Sequence, residues 1–287
     1  MAQPSLSALF VPSQQPGTIV ADVETLLEFL GIHRLETAGK NANLPPSVLP
    51  ELNQRLSHPI ALGLKRALLR DYPNIAGPYV LVRLMGLVEP RAKQLVCNAP
   101  QLALWRSLNP VEQYFALFEA WLLLADDKVL GQNPNHRYDD QFGAVVQFLD
   151  WNLRKSWKRF TGDRGESLAL RDLAPWNAQL AFRFGLMDMR TAAPGAGSRY
   201  QPKGWQLGAV RRTPWTDTVL AVLRRFASEA GPEEADELAF FHPPEEASFG
   251  YVQPAFQPLF PEWRRAFVQP KIPPRTGLHL FKVSLMS

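Results

Sequence analysis

Two stretches constrain this chain most, RLMGLVE at 83–89 and RFGLMDM at 183–189. Each takes an apolar helix into a glycine, then leucine, then an apolar residue, then an acid. Gly185 thus matches Gly86, Leu186 matches Leu87 and Asp188 matches Glu89. Glycine adopts the left-handed backbone that closes a helix at no steric cost, so the chain can leave it directly as a strand. The continuations are also alike. LVE and QLVC are short apolar strands around the polar tip Pro90–Lys93, a hairpin signature. Beyond Met189, RTAAPGAGSRYQPKG reads as a longer tip and WQLGAV as a returning strand. A glycine-terminated helix entering a strand is a common device, so duplication and coincidence both explain the match.

Around these stretches the pattern is helical. In ADVETLLEFLG, Asp22 reads as an N-cap, Val23, Leu26, Leu27 and Leu30 share a face, and Gly31 ends the helix. NLPPSVLPELNQRL is a second helix opened by Pro45 and Pro46, burying Val48, Leu49, Leu52 and Leu56, with Pro50 tolerated in its first turn. A third helix spans Tyr79–Met85. Helix, helix, helix, hairpin is the order of a winged-helix domain. Asn109-Pro110-Val111-Glu112 is a capped helix start, and EQYFALFEAWLLLAD after it is apolar round most of its circumference, as a buried central helix requires. FGAVVQFLDWNLRKSWKRF reads as one long helix with Arg154, Lys155, Lys158 and Arg159 at its C-terminal end and Gly162 as its stop. Thr213-Pro214 caps a further helix.

The expected fold is therefore mainly α with short β-hairpins, as two winged-helix-like units in tandem. Residues 1–21 read as a loose leader, 22–130 as the first unit and 131–230 as the second, basic one. Composition changes after that. Prolines 243, 244, 254, 258, 261, 270, 273 and 274 alternate with Phe241, Phe249, Tyr251, Phe256, Phe260, Trp263 and Phe267. So many aromatics would expose too much apolar surface as a free linker, so 231–274 reads as an extended strap lying on the preceding domain. Residues 275–287 alternate as a strand does, and read as the first strand of a C-terminal domain missing from this chain.

Few residues point to chemistry. The single cysteine, Cys97, rules out an internal disulfide and a Cys-rich zinc site, and fits a reducing cytoplasm. No apolar run is long enough to span a bilayer, and the N-terminus lacks the basic and apolar regions of a signal peptide. The five histidines form no two-ligand spacing. His136, Asp139 and Asp140 could hold a cation in a metal-dependent enzyme, but Asp139 or Asp140 capping the next helix explains the same residues. Gly195, Gly197 and Lys203 lack phosphate-loop spacing. No cofactor and no small-molecule substrate is inferred.

Charge is more informative. The net charge is +4, yet residues 131–230 carry 15 basic against 9 acidic side chains, while 1–130 are balanced. Arg154, Lys155, Lys158, Arg159, Arg190, Arg199, Lys203, Arg211 and Arg212 gather on the RKSWKR stretch and around the second hairpin, where a winged helix touches DNA phosphates. Against a groove-reading role, the helices before each hairpin, Tyr79–Met85 and Asn177–Phe184, are largely apolar and carry only Arg83 and Arg183.

LPPSVLPELNQRL, PNIAGPYVLVRLMGLV, LALWRSLNPVEQYFALFEAWLL, FPEWRR and GLHLFKVSL together resemble the helical N-terminal region of bacterial proteins with a plasmid pRiA4b open-reading-frame-three-like domain. That resemblance implies a mobile-element or defence setting, no known reaction, and a namesake domain beginning at LFKVSL. The expectation is a non-enzymatic binding or scaffold protein acting through a protein partner or self-association. DNA binding is the alternative and a metal-dependent enzyme the outsider.

Overall fold

The structure is a computed structural model, and it describes residues 16–33, 35–39, 41–131, 141, 145–146, 148–160, 174–192, 204–229 and 256. It is mainly helical with small antiparallel sheets, as the pattern requires.

Helix α1 (Ile19–Ile32) starts three residues before the expected cap and runs one past Gly31. Asp22 is not the cap. It lies inside the helix and is fully buried, for a reason that only the tertiary fold supplies. A 3-10 turn at Pro46–Val48 leads into α2 (Leu49–Arg55), which buries Leu49 and Leu52 with Pro50 in its first turn. Helix α3 (Pro73–Leu84) begins earlier than the periodicity indicates and ends at Gly86, whose φ is 68°. Strands β1 (Val88–Arg91) and β2 (Gln94–Cys97) pair antiparallel, with Ala92 and Lys93 between them at φ 46° and 66°. Positive φ at both turn residues matches the twist of a two-residue hairpin. A third segment joins its edge: Leu95 N donates to Leu35 O at 3.0 Å, and Glu36 bridges to Gln94.

Asn98 then caps α4 (Ala99–Ser107), and Asn109 caps α5 (Pro110–Glu119) in a reciprocal box with Glu112. Helix α5 continues as a π turn at Ala120–Leu124 and is buried on all sides.

The second half departs from expectation between 148 and 160. A π turn holds Phe148–Asn152, and the chain then leaves helical geometry altogether. Lys158–Arg159 is strand β3, the edge of a three-stranded sheet with β5 (Leu207–Arg212) at its centre and β4 (Met187–Thr191) beyond it. The long basic helix is absent because this backbone bonds to β5 instead: Phe160 N donates to Gly208 O at 2.9 Å and Arg212 N to Arg154 O at 2.7 Å. Helix α6 (Pro175–Arg183) ends at Gly185, φ 70°, and leads into β4 (Met187–Thr191). β5 (Leu207–Arg212) returns and feeds α7 (Pro214–Glu229).

Around Gly86 and Gly185 the two helix–hairpin junctions correspond bond by bond. Met85 N donates to Leu81 O at 2.9 Å as Phe184 N does to Leu180 O at 2.8 Å. Leu87 N reaches Val82 O at 3.0 Å as Leu186 N reaches Ala181 O at 2.9 Å. After the hairpin, Asn98 N returns to Leu87 O, and Thr213 N to Leu186 O. Both closing residues also accept from the start of the helix that follows, Asn98 from Gln101 N and Thr213 from Thr216 N. The short sequence match therefore marks a repeated local architecture.

The helices that precede the two glycines, α3 and α6, pack directly on each other. A Cβ on Gly77 would sit 2.8 Å from Leu180 Cγ, so this crossing depends on a residue without a side chain. One apolar cluster runs through both halves, from Ile19 to Leu223, and takes in Phe256. Of the expected leader, Ile19 and Val20 belong to it, and the residues before them are tied to the second half: Thr18 N donates to Arg183 O at 2.7 Å, and a Cβ on Gly185 would meet Pro16 at 2.7 Å. Of the expected strap only Phe256 is described. It is buried and stacks on Phe115 with ring centroids 4.5 Å apart. The strand expected at 275–287 lies outside the described residues, as does Gly162.

Candidate functional site

The registers of β3-β5-β4 place side chains on known faces. Arg159 and Arg190 both oppose Ala209, so all three share one side of the sheet. Two residues along, Arg211 opposes Asp188 on that same side. Trp157, just before β3, completes it: the guanidinium carbons of Arg190 and Arg211 lie 4.1 and 5.0 Å from its ring centroid. Stacking on an aromatic face favours a guanidinium, whose planar charge is weakly hydrated.

The cations singled out by sequence divide into distinct roles. Arg212 is no surface cation. Its side chain is only 15% exposed, donates to Leu149 O and Asp150 O, and pairs with Asp217 at 3.1 Å, pinning β5 to the π turn and to α7. Arg211 is half exposed and gives both Nε and a terminal nitrogen to Asp188 Oδ2. Lys155 is exposed and 3.5 Å from Asp217. Lys158 is half-buried, on the opposite side of β3 from Arg159, with its nitrogen 5.9 Å from the Phe160 ring. Arg154 is exposed, in the loop before β3. Arg159 and Arg190 are exposed and, among the described residues, lie within ion-pair range of no carboxylate. Arg199 and Lys203 lie outside the described residues. Sequence reasoning missed the acids Asp150, Asp188 and Asp217, which take up part of the basic charge. Nothing in their local pattern signals it, because each arrives from another element.

A shallow groove of about 460 Å³ adjoins this face, lined by Lys155, Asp188, Arg211, Arg212, Thr213, Pro214 and Asp217. Its two acids pair with its cations, so it offers little net charge to a ligand.

Among the described residues no group of three or more His, Cys, Asp or Glu is placed to hold a metal. His136, Asp139 and Asp140 lie outside them, as do Gly195 and Gly197. Cys97 is half-buried with Sγ 3.9 Å from Leu27 O, and burial pushes its thiol up, away from the thiolate that nucleophilic chemistry needs. No helix among the described residues is long and apolar enough to cross a membrane.

The helices that a DNA-reading winged helix would present are not at the surface. α3 buries Pro73 through Val82 without a break, and α6 buries Trp176 to Ala181 together with Arg183. Arg183 is paired with Asp22 inside the protein. Comparison with known proteins adds nothing to this picture: no family model, curated protein or solved structure matches the chain.

Proposed function

We propose that this chain is a non-enzymatic binding and scaffold protein formed by two winged-helix units locked together through their third helices. The topology supports the unit assignment. In each half a helix is followed by a short edge segment, a later helix, a glycine and a hairpin whose second strand pairs with that edge segment. The observation that carries the functional reading is the packing of α3 on α6, which withdraws both helices from any groove of DNA. Among the described residues the outer faces of both sheets and the tip of the first hairpin lie outside, surfaces suited to protein association. Phe256 stacked on Phe115 further supports it, since α5 packs against an aromatic ring from far along the chain. The mobile-element setting rests on the sequence resemblance alone.

Selection of bound duplexes from a random pool tests the reading. With α3 and α6 withdrawn, no sequence motif is enriched. Enrichment of a defined motif would mean that a helix reads bases, and would overturn it.

A further inference from the structure

We infer that the outer face of the second sheet binds the phosphate backbone of duplex DNA without reading its sequence. This goes beyond the proposed scaffold role and rests on it only in taking the chain as a binding protein. The repeat itself supplies the comparison. On the corresponding face of the first sheet the registers place Glu36, Glu89, Arg91, Gln94 and Val96, with Arg91 paired to Glu89. On the second sheet they place Arg159, Arg190 and Arg211 with Trp157, Ala209 and a single acid, Asp188. The same local architecture thus carries one near-neutral face and one basic face, a difference that burial does not demand, because Glu36, Arg91 and Gln94 on the first and Arg159 and Arg190 on the second are all exposed.

The detail favours phosphate. Arg190 and Arg211 are held over the Trp157 ring, so their guanidiniums are ordered before anything binds. Arg159 and Arg190 flank the small, covered Ala209, and both are exposed with no carboxylate in ion-pair range among the described residues. Guanidiniums are matched to phosphate oxygens. A single strand would need an aromatic free to stack on bases, and the Trp157 ring is already covered by arginine. Duplex RNA offers the same phosphates, so its binding is measured beside that of DNA.

The test is fluorescence anisotropy of the full chain with a mixed-sequence DNA duplex of about 20 base pairs, between about 50 and about 200 mM salt. Two phosphate contacts, from Arg159 and Arg190, predict an affinity loss of about 12-fold over that range. Arg159→Ala or Arg190→Ala each lowers the log–log salt slope by about one, and Arg159→Glu with Arg190→Glu abolishes binding. Arg91→Glu on the first sheet changes nothing. Circular dichroism checks that the exposed substitutions leave the fold intact. No binding at the lower salt, or binding indifferent to the double reversal, overturns the inference. Equal or tighter binding of single-stranded DNA, duplex RNA or polyglutamate overturns the choice of duplex DNA. None of these failures touches the scaffold reading, which falls only on an enriched sequence motif.

Discussion

Arg183 at the end of α6 donates to the carboxylate of Asp22 in α1, 161 residues earlier in the chain, and neither side chain is exposed to solvent. Asp22 is satisfied on all sides, accepting also from Thr18 Oγ1 at 2.7 Å and Ser57 N at 2.8 Å. Arg183 gives a second bond to His58 O at 3.3 Å, and Asn74 approaches that same oxygen from α3. The pair therefore clamps the two halves of the molecule at the place where their helices meet.

Removing one partner strands the other charge in the interior. Asp22→Asn or Arg183→Met should each cost about 3–5 kcal/mol in urea unfolding. Replacing both, Asp22→Asn with Arg183→Met, should recover much of that, because no charge is left unpaired. Additive losses in the double variant would show that the pair is not coupled.

The α3–α6 crossing should behave as a size-matched contact. Gly77→Val overpacks it against Leu180 and should cost about 1–3 kcal/mol. Leu180→Ala alone opens a cavity at a cost of about 2–5 kcal/mol. Combined, the two should cost less than their sum, read from the same unfolding curves. Additivity would contradict the contact.

Gly185 carries a second burden besides its positive φ. Left-handed strain alone costs alanine about 1–2 kcal/mol. Alanine at Gly185 should lose more than that, since its Cβ would also displace Pro16 and Gly17. A loss within that range would dissociate the N-terminal segment from the fold.

His58 should give a mild acid sensitivity. Its imidazole is held below the usual value, first by partial burial and then by the Arg183 guanidinium. The unfolded chain then binds the proton more readily, so this contribution is full above about pH 6.5 and is lost as pH falls further. Unfolding from about pH 8 down to about pH 5 should show a smaller loss for His58→Gln than for the parent. The ring is largely exposed, so solvent screening keeps the difference small.

Phe256 should anchor what precedes and follows it. Phe256→Ala removes a buried ring from Phe115 and should cost about 3–5 kcal/mol, with Phe256→Leu retaining most of the stability. An unchanged midpoint for the alanine variant would mean that the ring contributes no packing.

Local devices were legible in the sequence because they need only their neighbours. Gly86 and Gly185 and the cap of Asn109 with Glu112 fall where residue type and spacing put them, while the hairpin expected around Pro90–Lys93 is there with a shorter tip, Pro90 and Arg91 extending β1 and only Ala92 and Lys93 turning. Residues whose role is assigned from afar were not. Asp22 satisfies the local pattern of an N-cap, and only Arg183, arriving much later, makes it a buried partner. RKSWKR keeps helical periodicity, yet pairing with β5 and stacking around Trp157 outweigh that weak preference. Of the basic residues, Arg212 reads like its neighbours and is held at its depth by Asp150 and Asp217.

The seam between α3 and α6 joins two parts of one chain that share a local architecture. Tethered halves meet at a fixed local concentration, so dilution does not separate them and each need not bind the other tightly enough to survive alone. The seam also frees the outer surfaces from symmetry. A homodimer must display every residue twice, whereas here a substitution at Arg159 leaves Glu36 as it was. One sheet was able to become basic while the other stayed near neutral, and a single molecule presents two different faces to whatever it meets.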